Sequence, residues 1–235
     1  MKQGRLSIGV VGQELSGIAM AQALSQAGHM VVAVSKAPLE NEDNLDVLLP
    51  TAKKLSDEEI LAAADLVLLS VPATEITSTV ERLSDSWRKG QLVVHLAAEF
   101  DHEILEAAVA SGAIPLAIHP AMRFTGTSLD INRMKESFFA VSAPLVALPI
   151  AQALVIEMGA EPIIIEASAR ASYAEAIAVA SNFSAMIVNQ AIGLLEQAGV
   201  ANPALVIAPV IESSVDQALS KGHRQILPED LIGDS

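Results

Sequence analysis

Short apolar runs alternate with segments of helical period along the first half of the chain. Leu6 to Val11, Met30 to Ser35, Leu66 to Val71, Gln91 to Leu96 and Ala113 to Ile118 are nearly continuous apolar runs of strand length. Between them lie helical patterns at Gly17 to Ala27, Glu75 to Leu83 and Asp101 to Ala110, and Ser56 with Glu59 forms a capping box before a further short helix. Strands with no polar face are buried on both sides, so the alternation predicts a parallel sheet with helices on both faces and right-handed crossovers. The predicted fold class is α/β: a doubly wound, mainly parallel Rossmann sheet followed by a smaller all-helical domain.

The pattern changes after about Ala143. Leu148 to Met158 reads as a helix and Pro162 to Ile165 as a short strand or extended link. The longest helical pattern runs from Ser168 to Gln197 and ends at Gly199; another starts near Pro203 and reaches Leu219, with a kink or break expected at Pro209. These shifts place a domain boundary near Val146, giving a dinucleotide-binding domain over 1–145 and a helical substrate and dimerisation domain over 146–235. On the long helix Glu175, Asn182, Asn189 and Glu196 recur every seven residues and make one polar stripe on an otherwise apolar surface. Such a helix is expected to be buried on nearly every side, as in a dimer core, with Asn182 and Asn189 bonding across an interface or into a cleft.

Composition narrows the function classes. Hydrophobic residues make up 51% of the 235 positions but aromatics only 3%, so Ala, Val, Ile and Leu must build the core. A net charge of −14 argues against nucleic acid, which needs clustered Lys and Arg. The absence of cysteine removes disulfides, thiolate nucleophiles and Cys-ligated zinc, and no metal-ligand spacing is present. Met1 to Arg5 runs straight into a strand pattern, so no signal peptide and a cytoplasmic location are expected. Ser137 to Ile156 and Ala176 to Leu195 lack charge over about the length of a membrane span. The first contains Pro144 and Pro149 and the second Ser181, Asn182, Ser184, Asn189 and Gln190, so both read as protein core and no membrane partner is expected.

The candidate chemistry begins at Gly12-Gln13-Glu14-Leu15-Ser16-Gly17, between a strand and a helix. Gly12 suits the tight turn of a dinucleotide fingerprint and Gly17 the close packing of helix on strand. The middle glycine position holds Glu14, which brings bulk and a negative charge towards a pyrophosphate and is expected to weaken nucleotide binding without disturbing the fold. The amides of Gln13, Leu15 and Ser16 and the helix dipole still favour an anion. At the end of the second strand Ser35 and Lys36 stand where NAD sites place an acid; a hydroxyl and a cation suit the 2′-phosphate of NADP, although the acidic run Glu40, Asn41, Glu42, Asp43 follows. His119 precedes Pro120 at a strand end, where it is either a proton donor or a loop histidine bonded to backbone. His29 and His102 read as structural.

These segments together resemble one family. The glycine loop, Asp65 to Pro72, Val93-Val94-His95, His119-Pro120 with Phe124, and Tyr173 with Ser181-Asn182-Phe183 are similar to the Rossmann-like NADP oxidoreductases that carry a C-terminal domain of unknown function. That family is related to pyrroline-5-carboxylate reductase and to the group with 6-phosphogluconate dehydrogenase-like C-terminal domains. The resemblance implies that Ser70, Val71, Pro72 and Ala73 lie under the cofactor, His95 and Ala97 near the nicotinamide and His119 at the edge of the substrate cleft. It also implies dimerisation through the C-terminal helices. Similar proteins open the long helix with Lys and then Tyr-His; here Arg170, Tyr173 and Ala174 occupy those places. Residues 170, 174 and 181 are expected to share one face at about 100° per residue. The C-terminal Thr-Gly-Pro and Arg-Gly-Asp signals are missing, and Gly222-His223-Arg224 does not replace them.

The resulting expectation is an NADP-dependent reductase of a small carbonyl or imine substrate, a keto acid or cyclic imino acid by resemblance. His119 or Tyr173 would supply the proton, Arg170 would hold a substrate carboxylate and Asn182 would orient the substrate. The alternative is a non-catalytic ligand-binding or scaffold dimer that has lost cofactor chemistry, a reading favoured by Glu14 and Ala174.

Overall fold

The computed structural model describes residues 5–36 and 42–222. Glu40 and Asn41 of the acidic run, and His223 and Arg224, lie outside the described residues. The chain divides into two compact units, Met1–Ile177 and Ala178–Ser235.

The first unit is built on an eight-stranded sheet. Its strands are β1 (Ser7–Gly12), β2 (Met30–Ser35), β3 (Lys53–Leu55), β4 (Leu66–Ser70), β5 (Leu92–His95), β6 (Ile114–Pro120), β7 (Phe138–Ser142) and β8 (Glu161–Ile164), in the order β3-β2-β1-β4-β5-β6-β7-β8. All neighbours are parallel except β6 and β7. The helices of this unit are α1 (Leu15–Gln26), α2 (Glu42–Leu48), α3 (Asp57–Ala63), α4 (Ile76–Arg82), α5 (Glu106–Ala110), α6 (Leu129–Met134), α7 (Leu148–Glu157) and α8 (Arg170–Ala178), the last ending at the unit boundary. Alternate strand residues feed two cores, one on each face of the sheet. Val10, Leu68, Val94 and Ile118 pack with α1 and α7 residues such as Ile18 and Val155, while Val11, Val67, Leu69 and Val93 pack with Ile60, Val80 and Leu105.

Local chemistry explains several elements. Ser56 caps α3: its Oγ accepts from the Glu59 N–H and the Glu59 carboxylate accepts from the Ser56 N–H at 2.9 Å, the expected capping box. His29 is structural, as expected. Its Nδ1 accepts from the Leu6 N–H at 3.1 Å and its Nε2 meets Glu157 Oε2 at 2.7 Å, tying the α1–β2 turn to α7.

Three expectations need correction. The boundary lies at Ile177–Ala178, not near Val146, because β7, α7 and β8 extend the first sheet. β7 itself was hidden in the uncharged stretch from Ser137 to Ile156, which carries no alternation. The last helix, α10 (Pro203–Lys221), runs unbroken past Pro209, so of the expected kink or break the break does not occur.

The second unit holds α9 (Ser184–Gln197) and α10, packed on one another. A π turn over Val179–Phe183 precedes α9. A π turn takes more residues per turn than an α-helix. Face assignments made at a constant angle, both for 170, 174 and 181 and for the stripe from Glu175 to Glu196, therefore do not carry across it. Asn182 and Asn189 are exposed in the single chain, as are Phe183, Met186, Ile187 and Leu194. By length and composition the helix Ala167–Gln197 is apolar enough to cross a membrane.

α1 packs tightly against the end of β4. A Cβ added at Gly17 would lie 2.2 Å from Ser70 Oγ and 2.4 Å from Ser70 Cβ. Gly17→Ala is therefore expected to lower stability by about 1–3 kcal/mol in urea denaturation, and the double variant with Ser70→Gly to recover part of the loss. Additive losses in the double variant would show that the two residues do not share this space.

Candidate active site

The turn from β1 into α1 is fixed from below. Gly12 adopts φ +91°, and a side chain there would meet the Ser70 carbonyl oxygen at 2.2 Å, so glycine is required on both counts. The Glu14 N–H donates to the Ser70 carbonyl at 2.9 Å, and Ser70 Oγ donates to the Glu14 carbonyl at 2.7 Å. Ser70 is thus a buried brace for the loop, with its hydroxyl directed at backbone. Glu14 itself is exposed, makes no side-chain cap bond and has ordinary extended angles of φ −60° and ψ 140°. The backbone at this position does not demand glycine. Leu15 and Ser16 open α1, and among the described residues their N–H groups have no partner in the chain. That leaves donors and the positive helix end for a pyrophosphate. Gln13 lies beside them, half-buried.

Ser35 is also committed to the protein. It is 2% exposed, accepts from the Gly12 N–H at 3.0 Å and donates to Asp57 Oδ1 at 2.5 Å; Arg82 Nη2 holds the other oxygen of Asp57 at 2.6 Å. Its hydroxyl tightens the loop in place of facing a ribose phosphate. Lys36 is exposed at the strand end. Asp57 was not singled out from the sequence, since its partners lie 22 and 25 residues away and no local motif marks it. Val71, Pro72 and Ala73 follow β4 directly; Val71 and Ala73 are half-buried and Pro72 is exposed, with Val71 beside Gly12.

The second group of polar residues gathers where β5 and β6 end. His95 is fully buried. Its Nδ1 accepts from the Ala97 N–H at 3.2 Å, so the proton sits on Nε2, which donates to the Asp101 carbonyl at 2.8 Å. His95 and Ala97 therefore shape the turn after β5. Burial, aided by the charge of Arg170, pushes the His95 pKa down to about 4, against the opposing effect of the Asp101 carbonyl. His119, near the end of β6, is half-buried, and its Nδ1 lies 2.8 Å from the Tyr173 hydroxyl, with the two rings edge to face at 5.5 Å. Burial and then Arg170 push its pKa down to about 4. Burial raises the Tyr173 pKa, and Arg170 opposes that rise. Near neutral pH the pair is therefore a neutral imidazole and a protonated phenol.

Arg170 lies beside this pair at the start of α8. It is 2% exposed, and its Nε, Nη1 and Nη2 have no hydrogen-bond partner among the described residues. Burial lowers its pKa, against the favourable charges of Tyr173 and Asp101. The structure thus brings His119, Tyr173 and Arg170 together as a site, with His95 next to it. Asn182 belongs to the second unit. Asp101 was missed, because its sequence signal is only that of a helix cap: its Oδ1 accepts from the Glu103 N–H at 2.9 Å.

A Gly-rich turn between the first strand and a helix, in a sheet ordered 3-2-1-4-5-6, is the dinucleotide architecture. Residues 1–120 match the model of the Rossmann-like domain. The chain belongs to the Rossmann-like domain family. Residues 137–228 match a second family, the domain of unknown function DUF2520. Comparison with curated proteins finds no match. Among solved structures, one similar fold is a protein from Bacteroides fragilis provisionally described as an NADP oxidoreductase, with a TM-score of 0.73 and 20% identity over 91% of this chain and 80% of that one. Another is 1-pyrroline-5-carboxylate reductase from Streptococcus pyogenes, with a TM-score of 0.69 and 15% identity over 97% and 84% of the two chains. A third is an imine reductase from Pseudomonas sp., with a TM-score of 0.68 and 15% identity over 93% and 76%. At these identities the likeness is one of fold.

The histidines give this Rossmann-like domain a defined pH response. Both His95 and His119 have folded pKa values near 4, below the ordinary 6.5, so the unfolded chain binds more protons in that interval. Stability is then complete above about pH 6.5 and falls as pH drops towards 4, by at most about 1.4 kcal/mol per pH unit for each histidine. Urea denaturation at stepped pH checks this, and His119→Gln should flatten the slope. An unchanged free energy from pH 7 to 5 would show that neither histidine is held neutral by the fold.

Proposed function

We propose that the chain is an NADP-dependent oxidoreductase that reduces a small carbonyl or imine substrate. The observation that carries this reading is the 2.8 Å contact between His119 Nδ1 and the Tyr173 hydroxyl at the carboxyl end of β6, where ligands bind in open α/β sheets. The loop fits a dinucleotide. Gly12 and Gly17 make the close approaches, the Leu15 and Ser16 N–H groups are available to the pyrophosphate, and the exposed Glu14 side chain has solvent to turn into. Lys36 supplies a cation near the ribose, which favours NADP over NAD. When bound, the reduced cofactor supplies a hydride to the substrate carbon.

The chain's own residues supply the proton. Tyr173, protonated near neutral pH, donates its hydroxyl proton to the developing alkoxide or amide nitrogen. The phenolate left behind is stabilised by Arg170, whose charge already opposes the rise in the Tyr173 pKa, and by a hydrogen bond from the neutral His119 ring, and it is reprotonated from water. In this reading His95 and Ala97 hold the wall next to the nicotinamide. NADPH oxidation should be assayed over small keto acids and cyclic imines, with binding of both cofactors followed by calorimetry. Tyr173→Phe is expected to lower kcat by about 10²- to 10⁴-fold and leave NADPH affinity unchanged. Full activity in that variant would remove the pair from the reaction. Failure of the wild type to bind either dinucleotide would favour a non-catalytic scaffold.

The helical unit supports a second part of the reading, a homodimer formed through α9 and α10. Phe183, Met186, Ile187, Leu194, Leu205 and Leu219 are all more than half exposed in one chain, an apolar surface that a two-helix unit cannot bury on itself. A second copy offers the same surface to it. Asn182 and Asn189, in that surface, would find partners there. Sedimentation is expected to give a mass near twice 24.6 kDa, and a monomer at micromolar concentration would exclude this interface.

A further inference from the structure

Stabilising a phenolate needs only the charge of Arg170 and leaves its hydrogen-bond donors unused. A guanidinium carries five donors and a permanent charge, and burying it without a partner is costly. Here it is 2% exposed with all three nitrogens unpartnered. Asp101 is the nearby carboxylate, yet no salt bridge forms within 4.0 Å, and Asp101 Oδ1 is occupied by the Glu103 N–H. His95 and His119 are held neutral, and His95 spends both ring nitrogens on backbone groups. The cluster therefore holds a cation that is near the Asp101 carboxylate but not paired with it, and whose three nitrogens are all free to donate. His119 and Tyr173 beside it are half-buried, and so more open to solvent than Arg170 itself.

We infer that Arg170 is a binding site for the carboxylate of a small organic acid, which enters past His119 and Tyr173 and pairs with the guanidinium. The inference rests on the reductase reading only in making that acid the substrate; the anion site itself stands on the geometry of Arg170. A carboxylate matches the site in two ways. Its two oxygens accept the parallel donors of a guanidinium. It adds one negative charge to the single guanidinium, whereas a phosphate dianion would add two in the neighbourhood of the Asp101 carboxylate. Arg170 and Tyr173 are near enough for each to feel the other's charge, so a 2-keto or 2-imino acid held by Arg170 would bring its reducible group towards the proton donor.

The test uses the full-length protein without any dinucleotide, and acetate and oxamate as redox-inert probes. Tyr173 is the chain's sole tyrosine, so its ultraviolet difference spectrum reports on this cluster alone among phenols. Both acids are expected to raise the melting temperature saturably and to perturb the tyrosine spectrum with the same midpoint. Inorganic phosphate and chloride at matched ionic strength should do neither. Arg170→Gln should lose both responses. Arg170→Met should melt at or above the temperature of the acid-free wild type, because it removes an unpaired buried charge. Equal responses to phosphate and carboxylate, or no tyrosine perturbation, would overturn the inference. So would a melting temperature for Arg170→Met well below that of the acid-free wild type, which would show that protein groups already partner the arginine. Each of these results leaves the NADPH binding and Tyr173→Phe assays to judge the reductase reading separately.

Discussion

The approach of Gly17 to Ser70 governs the nucleotide half of the molecule. With no Cβ at Gly17, α1 sits directly on the end of β4, and the Ser70 hydroxyl and carbonyl hold both the carbonyl and the N–H of Glu14. Gly12 turns within the same space, and Ser35 closes the loop from β2. The first amides of α1 are thereby aimed outward as a group. The residues that the resemblance places under a cofactor act largely by holding this backbone, and what they offer a ligand is the peptide groups they position.

At the neighbouring strand ends the same economy of space produces the opposite polarity. Histidine, tyrosine and arginine are withdrawn from water, and desolvation is the largest influence on each of them. It keeps both imidazoles neutral and the phenol protonated, which is the state an acid catalyst needs before reaction. The cost is the buried charge of Arg170, which an anion bound there would offset.

Much of this was legible in the sequence because its signals are local. The capping box at Ser56 and Glu59, the strand Met30–Ser35 and the structural role of His29 all follow from near neighbours or from strand pattern. His119 could be placed by the rule that strand ends carry ligands, and Arg170 and Tyr173 by the resemblance, in whose pattern they open the long helix. Their meeting with His119 could not, since the contact spans 54 residues. The role of Ser35 was not legible either, because a serine at that position reads as a ribose contact until its hydroxyl is seen to donate to Asp57. β7 was lost because an uncharged stretch gives no period, and the domain boundary moved with it. The constant-angle faces of the long helix failed at the π turn, which no residue type announces.

The two outer strands restrict how copies of the protein can associate. On β8 the Glu161 and Ile165 N–H groups donate inward to β7, so the intervening Pro162 turns its nitrogen outward, where a further strand would seek a donor. At the opposite margin β3 carries Lys53 and Lys54, a charged border against strand addition. The sheet is therefore finished at both ends. Assembly by edge pairing is disfavoured, and any self-association would fall to the side chains of helices, a mode that can recognise a single partner and stop.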